Sequence, residues 1–253
     1  MSLRQLPLSM PPRDGFEAQA FVLGAPNRAA HAMVMDPARW PHGRLALTGP
    51  EGAGKSHLVA VLAAAVAGAR IVSVAAVTPA AAPGLAGAAL AVVEDVQALG
   101  TLEPARGHPG GRRAAEDGLF HLINLVAAGQ GRLLLTGRGA PSRWPTATPD
   151  LASRLAATTA VEIGAPDDAF LSLVMLKAAA DRGLDLDPAA LALLVQRAER
   201  SYAGARAAVD AVDAAATGRR RRRVGARLAA AALREAGIAG AGDDRAPGES
   251  PRG

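Results

Sequence analysis

Two kinds of apolar patterning divide the chain. Up to about residue 164, short continuous apolar runs alternate with stretches of helical spacing, and beyond it only helical spacing remains. The runs are Leu45-Ala46-Leu47, residues 70–77, Leu90-Ala91-Val92-Val93 and Arg132-Leu133-Leu134-Leu135-Thr136. A strand that is apolar at every position, rather than at every second one, suits a parallel sheet covered on both faces. Helical stretches at 28–35, 57–67 and 114–128 separate the runs, so the pattern predicts an α/β fold with helices on both faces of a parallel sheet. Val161-Glu162-Ile163 closes that part. Residues 167–182, 187–200, 203–216 and 223–236 then read as four helices with no strand among them. Asp167 and Asp187 stand where an acid favours a helix start. Residues 78–88, rich in Ala, Pro and Gly, read as an irregular connection, and 100–113 as a glycine- and charge-rich loop. The expected organisation is an extended arm (1–15), an α/β core (16–164), a helical second domain (165–236) and a Gly/Pro/charge tail without a core (237–253).

Composition changes this picture little. Half of the 253 residues are apolar but only 3% are aromatic, so Ala, Leu and Val must do the packing. With no cysteine there is neither a disulfide framework nor a thiolate metal site. No run is long and apolar enough to span a bilayer and the first residues lack a secretory pattern, so a cytoplasmic protein without a membrane partner is expected. The net charge of +5 is local: Arg219, Arg220, Arg221, Arg222 and Arg223 alone supply five positive charges.

The chemistry begins between the first apolar run and the helix after it. Gly49-Pro50-Glu51-Gly52-Ala53-Gly54-Lys55-Ser56 has the spacing G-x-x-x-x-G-K-S, in a chain with two lysines and twenty-six arginines. Glycines let consecutive N–H groups turn inward around a phosphate, the lysine adds a point charge, and the serine hydroxyl can ligate Mg²⁺. The motif predicts ADP or ATP bound by Gly49, Gly52, Ala53, Gly54, Lys55, Ser56 and His57. Glu94 and Asp95 follow a buried run, where a pair of acids can steady the metal and orient water; Ser56 and Glu94 are the expected Mg²⁺ partners. Thr136 ends the next run and could sense a terminal phosphate. Arg154, in Pro149-Asp150-Leu151-Ala152-Ser153-Arg154-Leu155, sits on a short helix opened by a proline and an acid.

In order and spacing, Asn27, the P-loop, Glu94-Asp95, Leu133-Leu134-Leu135-Thr136-Gly137 and Pro149 to Leu155 resemble the AAA+ ATPase core of the DnaA-related family. The nearest type is its short regulatory members, the Hda-type inactivators of DnaA. The resemblance runs over about residues 4–235 and implies an AAA+ P-loop NTPase core with a C-terminal all-helical lid. It implies that Asn27 belongs to the nucleotide site and that Arg154 is an arginine finger acting in trans on DnaA-bound ATP. Gln5, Leu6 and Leu8 match the Gln-Leu-x-Leu peptide with which such proteins engage the DNA polymerase III sliding clamp. Departures are visible as well. Arg138 stands where DnaA carries an acid, Glu94-Asp95 inverts the commoner order, and Ala203 falls at the lid's sensor-arginine position. Arg200 and Arg206, one turn to either side, are the candidate replacements. These departures point to weak or no ATPase activity of the chain's own.

The arginine run could make nonspecific, salt-sensitive contacts with DNA, although no aromatic residue lies in it to stack on bases. The favoured expectation is therefore a clamp-tethered regulator that switches off DnaA, with a homo-oligomer left open. Two alternatives stand beside it: a DNA-binding, helicase-loader-like AAA+ protein, and a small-molecule P-loop kinase, against which the C-terminal place of the helical part counts.

Overall fold

In the computed structural model the described residues are 21–102, 111–129, 131–216 and 223–238. The expectations for the arm with Gln5, Leu6 and Leu8, for most of the 100–113 loop, for Arg219 to Arg222 and for nearly all of the tail lie outside them.

Five parallel strands form the main sheet: β1 (Arg44–Thr48), β2 (Ala69–Ser73), β3 (Leu90–Glu94), β4 (Leu133–Gly137) and β5 (Ala160–Glu162). Their spatial order is β2-β3-β4-β1-β5. Burial explains which runs were apolar throughout. β1 and β4 are buried at all five positions and β3 at its first four, whereas the edge strands β2 and β5 are largely accessible.

The strand period of two sorts the central side chains into two layers. Ala46, Ala91, Val93, Leu133 and Leu135 face one way, onto Leu119, Leu122, Ile123 and Val126 of α4 (Gly111–Ala127) and Leu151 and Leu155 of α5 (Pro149–Ala156). Leu45, Leu47, Val92 and Leu134 face the other way, onto Ala30 and Val34 of α1 (Arg28–Val34) and Leu58, Val59 and Leu62 of α2 (Lys55–Ala65). Leu119, Leu122, Ile123 and Val126 follow the spacing of one helix face, so α4 presents a continuous apolar stripe to the sheet.

Two expectations for this part change in detail. The run at 70–77 ends as a strand at Ser73 and continues as a 3₁₀ turn (Val74–Ala76). The connection at 78–88 contains a short helix, α3 (Ala82–Ala86), whose Leu85 and Ala86 are buried beside α4. Apolar burial supplies a reason to be helical that local propensity does not.

The C-terminal part packs around a core of its own, formed by α6 (Asp168–Asp181), α7 (Pro188–Arg197), α8 (Tyr202–Ala216) and α9 (Ala226–Glu235). Asp167 and Asp187 cap α6 and α7, accepting from Phe170 N and Ala190 N at 2.7 Å each. The expectation of no strand there is corrected: β6 (Asp185–Leu186) pairs in parallel with β7 (Arg223–Val224). Two-residue strands carry too little pattern to be read from sequence. The helical part meets the core where Phe170 packs against Gly24, leaving no room for a Cβ there, and Phe170 meets Tyr202 edge-on at 5.1 Å.

Candidate nucleotide site

The carboxyl ends of β1, β4 and β3 open into a cleft of about 690 Å³ whose far wall is α8. The loop between β1 and α2 forms its floor. Gly52 (φ 68°) and Gly54 (φ 94°) hold left-handed backbone there, and both are approached closely by the helical part. A Cβ on Gly52 would lie 3.1 Å from the Ser201 side chain, and one on Gly54 would lie 3.4 Å from the Tyr202 ring. Only glycine allows the loop to curl beneath α8.

The first turn of α2, from Lys55, follows directly, so the amino end of the helix and the positive end of its dipole point into the loop. Lys55 is buried, and its Nζ donates to Gly49 O (2.9 Å) and Pro50 O (2.7 Å). Burial lowers its pKa; Asp95 and Glu51 push it back up, while Arg138 adds to the lowering. An amine kept close among backbone carbonyls and two acids is a cation suited to a phosphate group. Ala53, Ser56 and His57 also line the cleft, and the Phe21 ring packs edge-on against His57 at 5.2 Å.

The two acids separate. Asp95 adopts a left-handed backbone (φ 56°), lines the cleft and is exposed. Glu94 ends β3 in register with Ser73 of the edge strand and is not among the cleft residues. β4 lies between β3 and β1, so the acids emerge one strand away from the P-loop strand rather than beside it. Thr136, on that intervening strand, is buried and its hydroxyl accepts from Asp95 N at 3.2 Å. Gln97 Nε2 donates to Asp95 Oδ1 (3.2 Å), and Gln97 Oε1 accepts from Arg138 N (3.1 Å).

These residues fit the phosphate chain of a nucleotide and a Mg²⁺ ion bound to it. Among the described residues no cluster of three or more His, Asp or Glu side chains could hold a metal by itself. Ser56 and Asp95 are oxygen donors facing the cleft, a sparse set that matches an ion taking most of its ligands from phosphates and water.

The lid candidates also separate. Arg206 of α8 lines the cleft, and Ala203 lies beside Gly52. Arg200 pairs with Asp168 at 2.8 Å on the surface, away from the cleft. Asn27 is fully buried but is not a cleft residue either. Its Nδ2 donates to Tyr202 Oη (2.6 Å) and Val22 O (2.8 Å), and its Oδ1 accepts from Gly24 N (2.9 Å). With Tyr202 N donating to Gly52 O (2.9 Å), Asn27 ties the start of α1 and the P-loop to the helical part. Sequence reasoning missed Tyr202, Gln97 and Asp210 as cleft residues, because each arrives there through tertiary structure alone, and it missed Glu51 because the P-loop spacing leaves that position open.

Arg154 lies elsewhere. It is exposed on α5, and its carbonyl accepts from Thr158 Oγ1 (2.9 Å), which in turn accepts from Arg44 Nε (3.1 Å). Arg44 begins β1, and its pKa is lowered first by burial and then by the neighbouring charge of Arg154. The finger candidate therefore sits at the amino end of β1, whereas Lys55 follows its carboxyl end.

No protein-family model matches the sequence, and no curated protein does. Among solved structures, domain III of the replication initiation protein DnaA from Thermotoga maritima is similar over 89% of this chain and 98% of its own, with a TM-score of 0.70 and 16% identity. The replication initiator DnaA bound to AMPPCP and single-stranded DNA is similar over 79% of this chain and 65% of its own (TM-score 0.65, 16% identity). The RuvB Holliday junction branch migration motor of Thermotoga maritima is similar over 84% and 70% (TM-score 0.63, 16% identity). With its parallel sheet, P-loop and helical C-terminal part, the chain has the AAA+ P-loop NTPase fold in the form these DnaA and RuvB structures share.

Proposed function

We propose that this chain is a nucleotide-dependent regulator of replication initiation, which stimulates hydrolysis of DnaA-bound ATP in trans. The observation that carries the reading is the placement of Arg154: exposed, and at the opposite end of β1 from the chain's own P-loop. An arginine so placed serves a neighbour's phosphates rather than its own. Negative charge develops on the γ-phosphate oxygens during hydrolysis, and an arginine delivered there in trans is worth about 10³- to 10⁵-fold in rate.

In this reading ADP or ATP with Mg²⁺ occupies the cleft and sets the pose of core (16–164) against lid (165–236). Lys55 and the loop N–H groups hold the phosphates, Ser56 and Asp95 face the metal, and Arg206 reaches from the lid. Gln5, Leu6 and Leu8 tether the protein to the sliding clamp. A DnaA structure that carries AMPPCP supports the nucleotide assignment.

The test is DnaA ATP hydrolysis measured with this protein, a DNA-loaded clamp and either nucleotide. Stimulation should fall to background in Arg154→Ala, and clamp binding should be lost when Gln5 and Leu6 become alanine. Full stimulation by Arg154→Ala would rule the finger out. A second reading, a helicase-loader-like protein acting on DNA, draws on exposed Arg223 at the end of the arginine run. It predicts ATPase activity stimulated by single-stranded DNA without DnaA.

A further inference from the structure

Arg138 is the first residue after β4, and its backbone is fixed from both sides. Its N–H donates to Gln97 Oε1 (3.1 Å), and its carbonyl accepts from Trp144 Nε1 (2.9 Å). Gly137 before it is wedged between the same two side chains, with the Trp144 ring 2.5 Å from where a Cβ would be. From that anchored position the side chain crosses to the P-loop, where Nη1 lies 2.9 Å from Glu51 Oε2. The two side chains are 57% and 86% exposed, and an ion pair so exposed contributes little to folding. Its place is what sets it apart. Both residues line the nucleotide cleft, and the charge of Arg138 is felt at Lys55.

The charges of the cleft sharpen the point. Its acids are Glu51, Asp95 and Asp210, and its lysine and arginines are Lys55, Arg138 and Arg206, so among the described lining residues these balance. A polyphosphate entering a balanced site gains most by taking a cation away from an acid that water can solvate instead. Asp210 is already paired with Arg182, and Asp95 is held by Gln97. Glu51 is 86% exposed and lies on the phosphate loop itself. β4, which Arg138 directly follows, emerges between the P-loop strand and the strand that precedes Asp95.

We propose that Arg138 is a second phosphate-binding cation of this chain's own cleft, and that Glu51 competes with the terminal phosphate for it. The pair thereby discriminates between nucleoside tri- and diphosphates: a triphosphate displaces Glu51, whereas a diphosphate leaves the pair in place. The proposal rests on the reading that the cleft binds an adenine nucleotide.

The experiment is calorimetric titration of the full chain with Mg-AMPPCP and Mg-ADP, for the unaltered protein, Arg138→Ala, Glu51→Gln and the double variant. A lost charge-assisted contact should weaken AMPPCP about tenfold in Arg138→Ala and ADP less than about twofold. Glu51→Gln should strengthen AMPPCP by about threefold or more, and that gain should vanish in the double variant. Equal effects of Arg138→Ala on both ligands, no effect on either, or a Glu51→Gln gain that survives without Arg138 would each overturn the proposal. If the unaltered protein binds neither nucleotide, the reading of the cleft itself fails and this proposal goes with it. Melting temperatures of the single variants should match the unaltered protein, because the pair is exposed.

Discussion

Position 202 shows how far one residue can join parts distant in sequence. Its backbone N–H bonds the P-loop, its ring closes the cleft over Gly54, and its buried hydroxyl meets Asn27, 175 residues earlier in the chain. Burial raises the pKa of that hydroxyl, only partly opposed by Asn27, so it stays neutral throughout the range in which the protein would work. Tyr202→Phe keeps the ring and removes the hydroxyl, leaving the Asn27 amide short of a partner. The expected cost is about 1 to 2 kcal/mol in denaturant unfolding. Nucleotide affinity should weaken as well, since the bonded tyrosine holds α8 over the loop; an unchanged midpoint and unchanged affinity would remove that role. The same contact marks what the sequence could not tell. Asn27 resembled a nucleotide ligand by its place before the P-loop, yet its amide points at a side chain that no local spacing relates to it. Lys55 and Ser56 were legible because the loop motif names them, Asp95 because it follows a buried run, and Arg206 because it lies one turn beyond Ala203. Gln97 and Asp210 line the cleft because a strand end and a lid helix converge there, and Glu51 fills a loop position that the motif leaves open.

At the scale of elements, legibility followed burial. β1, β3 and β4 were readable because both their faces are covered, and α4 because its stripe meets the sheet. α3, β6 and β7 were not, since each is shorter than the window over which a period can be recognised. The short helix α5 owes its position to one acid on α4. Glu116 is 2% exposed, pairs with Arg112 at 2.7 Å, and accepts from Ala147 N, Thr148 N and Thr148 Oγ1 just before α5 begins. Burial alone would push its pKa up, but Arg112, Thr148 and Ala147 outweigh that and hold it below the usual carboxylate range. A carboxyl depressed in the folded state stabilises above its unfolded pKa, near about 4.3, and loses that contribution as pH falls through the folded value. Glu116→Gln should therefore cost about 2 kcal/mol at neutral pH. The gap between variant and parent should close on acidification below about pH 4, as the parent's own carboxyl becomes protonated. Thermal melts across that range check both signs, and a gap that stayed constant with pH would mean that the charge of Glu116 plays no part. Because α5 carries Arg154, the same variant should also reduce any action of that residue on a partner.

Across the whole molecule, the sheet separates Arg154 from the phosphate loop. β1 runs from Arg44, beside Arg154, to Thr48, where the phosphate loop begins; four steps of a parallel strand separate them by about 13 Å before the loop adds its own reach. Arg154 is anchored through its carbonyl to Thr158 and flanked by buried Leu151 and Leu155, so its backbone is fixed at that end of the sheet while its side chain is exposed. A side chain about 7 Å long cannot cross that distance, so it cannot reach its own nucleotide. Its removal should consequently leave two properties untouched: the affinity of this chain for AMPPCP or ADP, to within about twofold, and the melting temperature. Only activity on a second molecule should disappear. Titration and melting of Arg154→Ala, run beside the DnaA assay, separate the cases. A variant that binds its nucleotide normally but no longer stimulates hydrolysis assigns the arginine to a neighbour's site. A variant that loses its own nucleotide places the finger in cis, and the trans mechanism then fails at its geometric root.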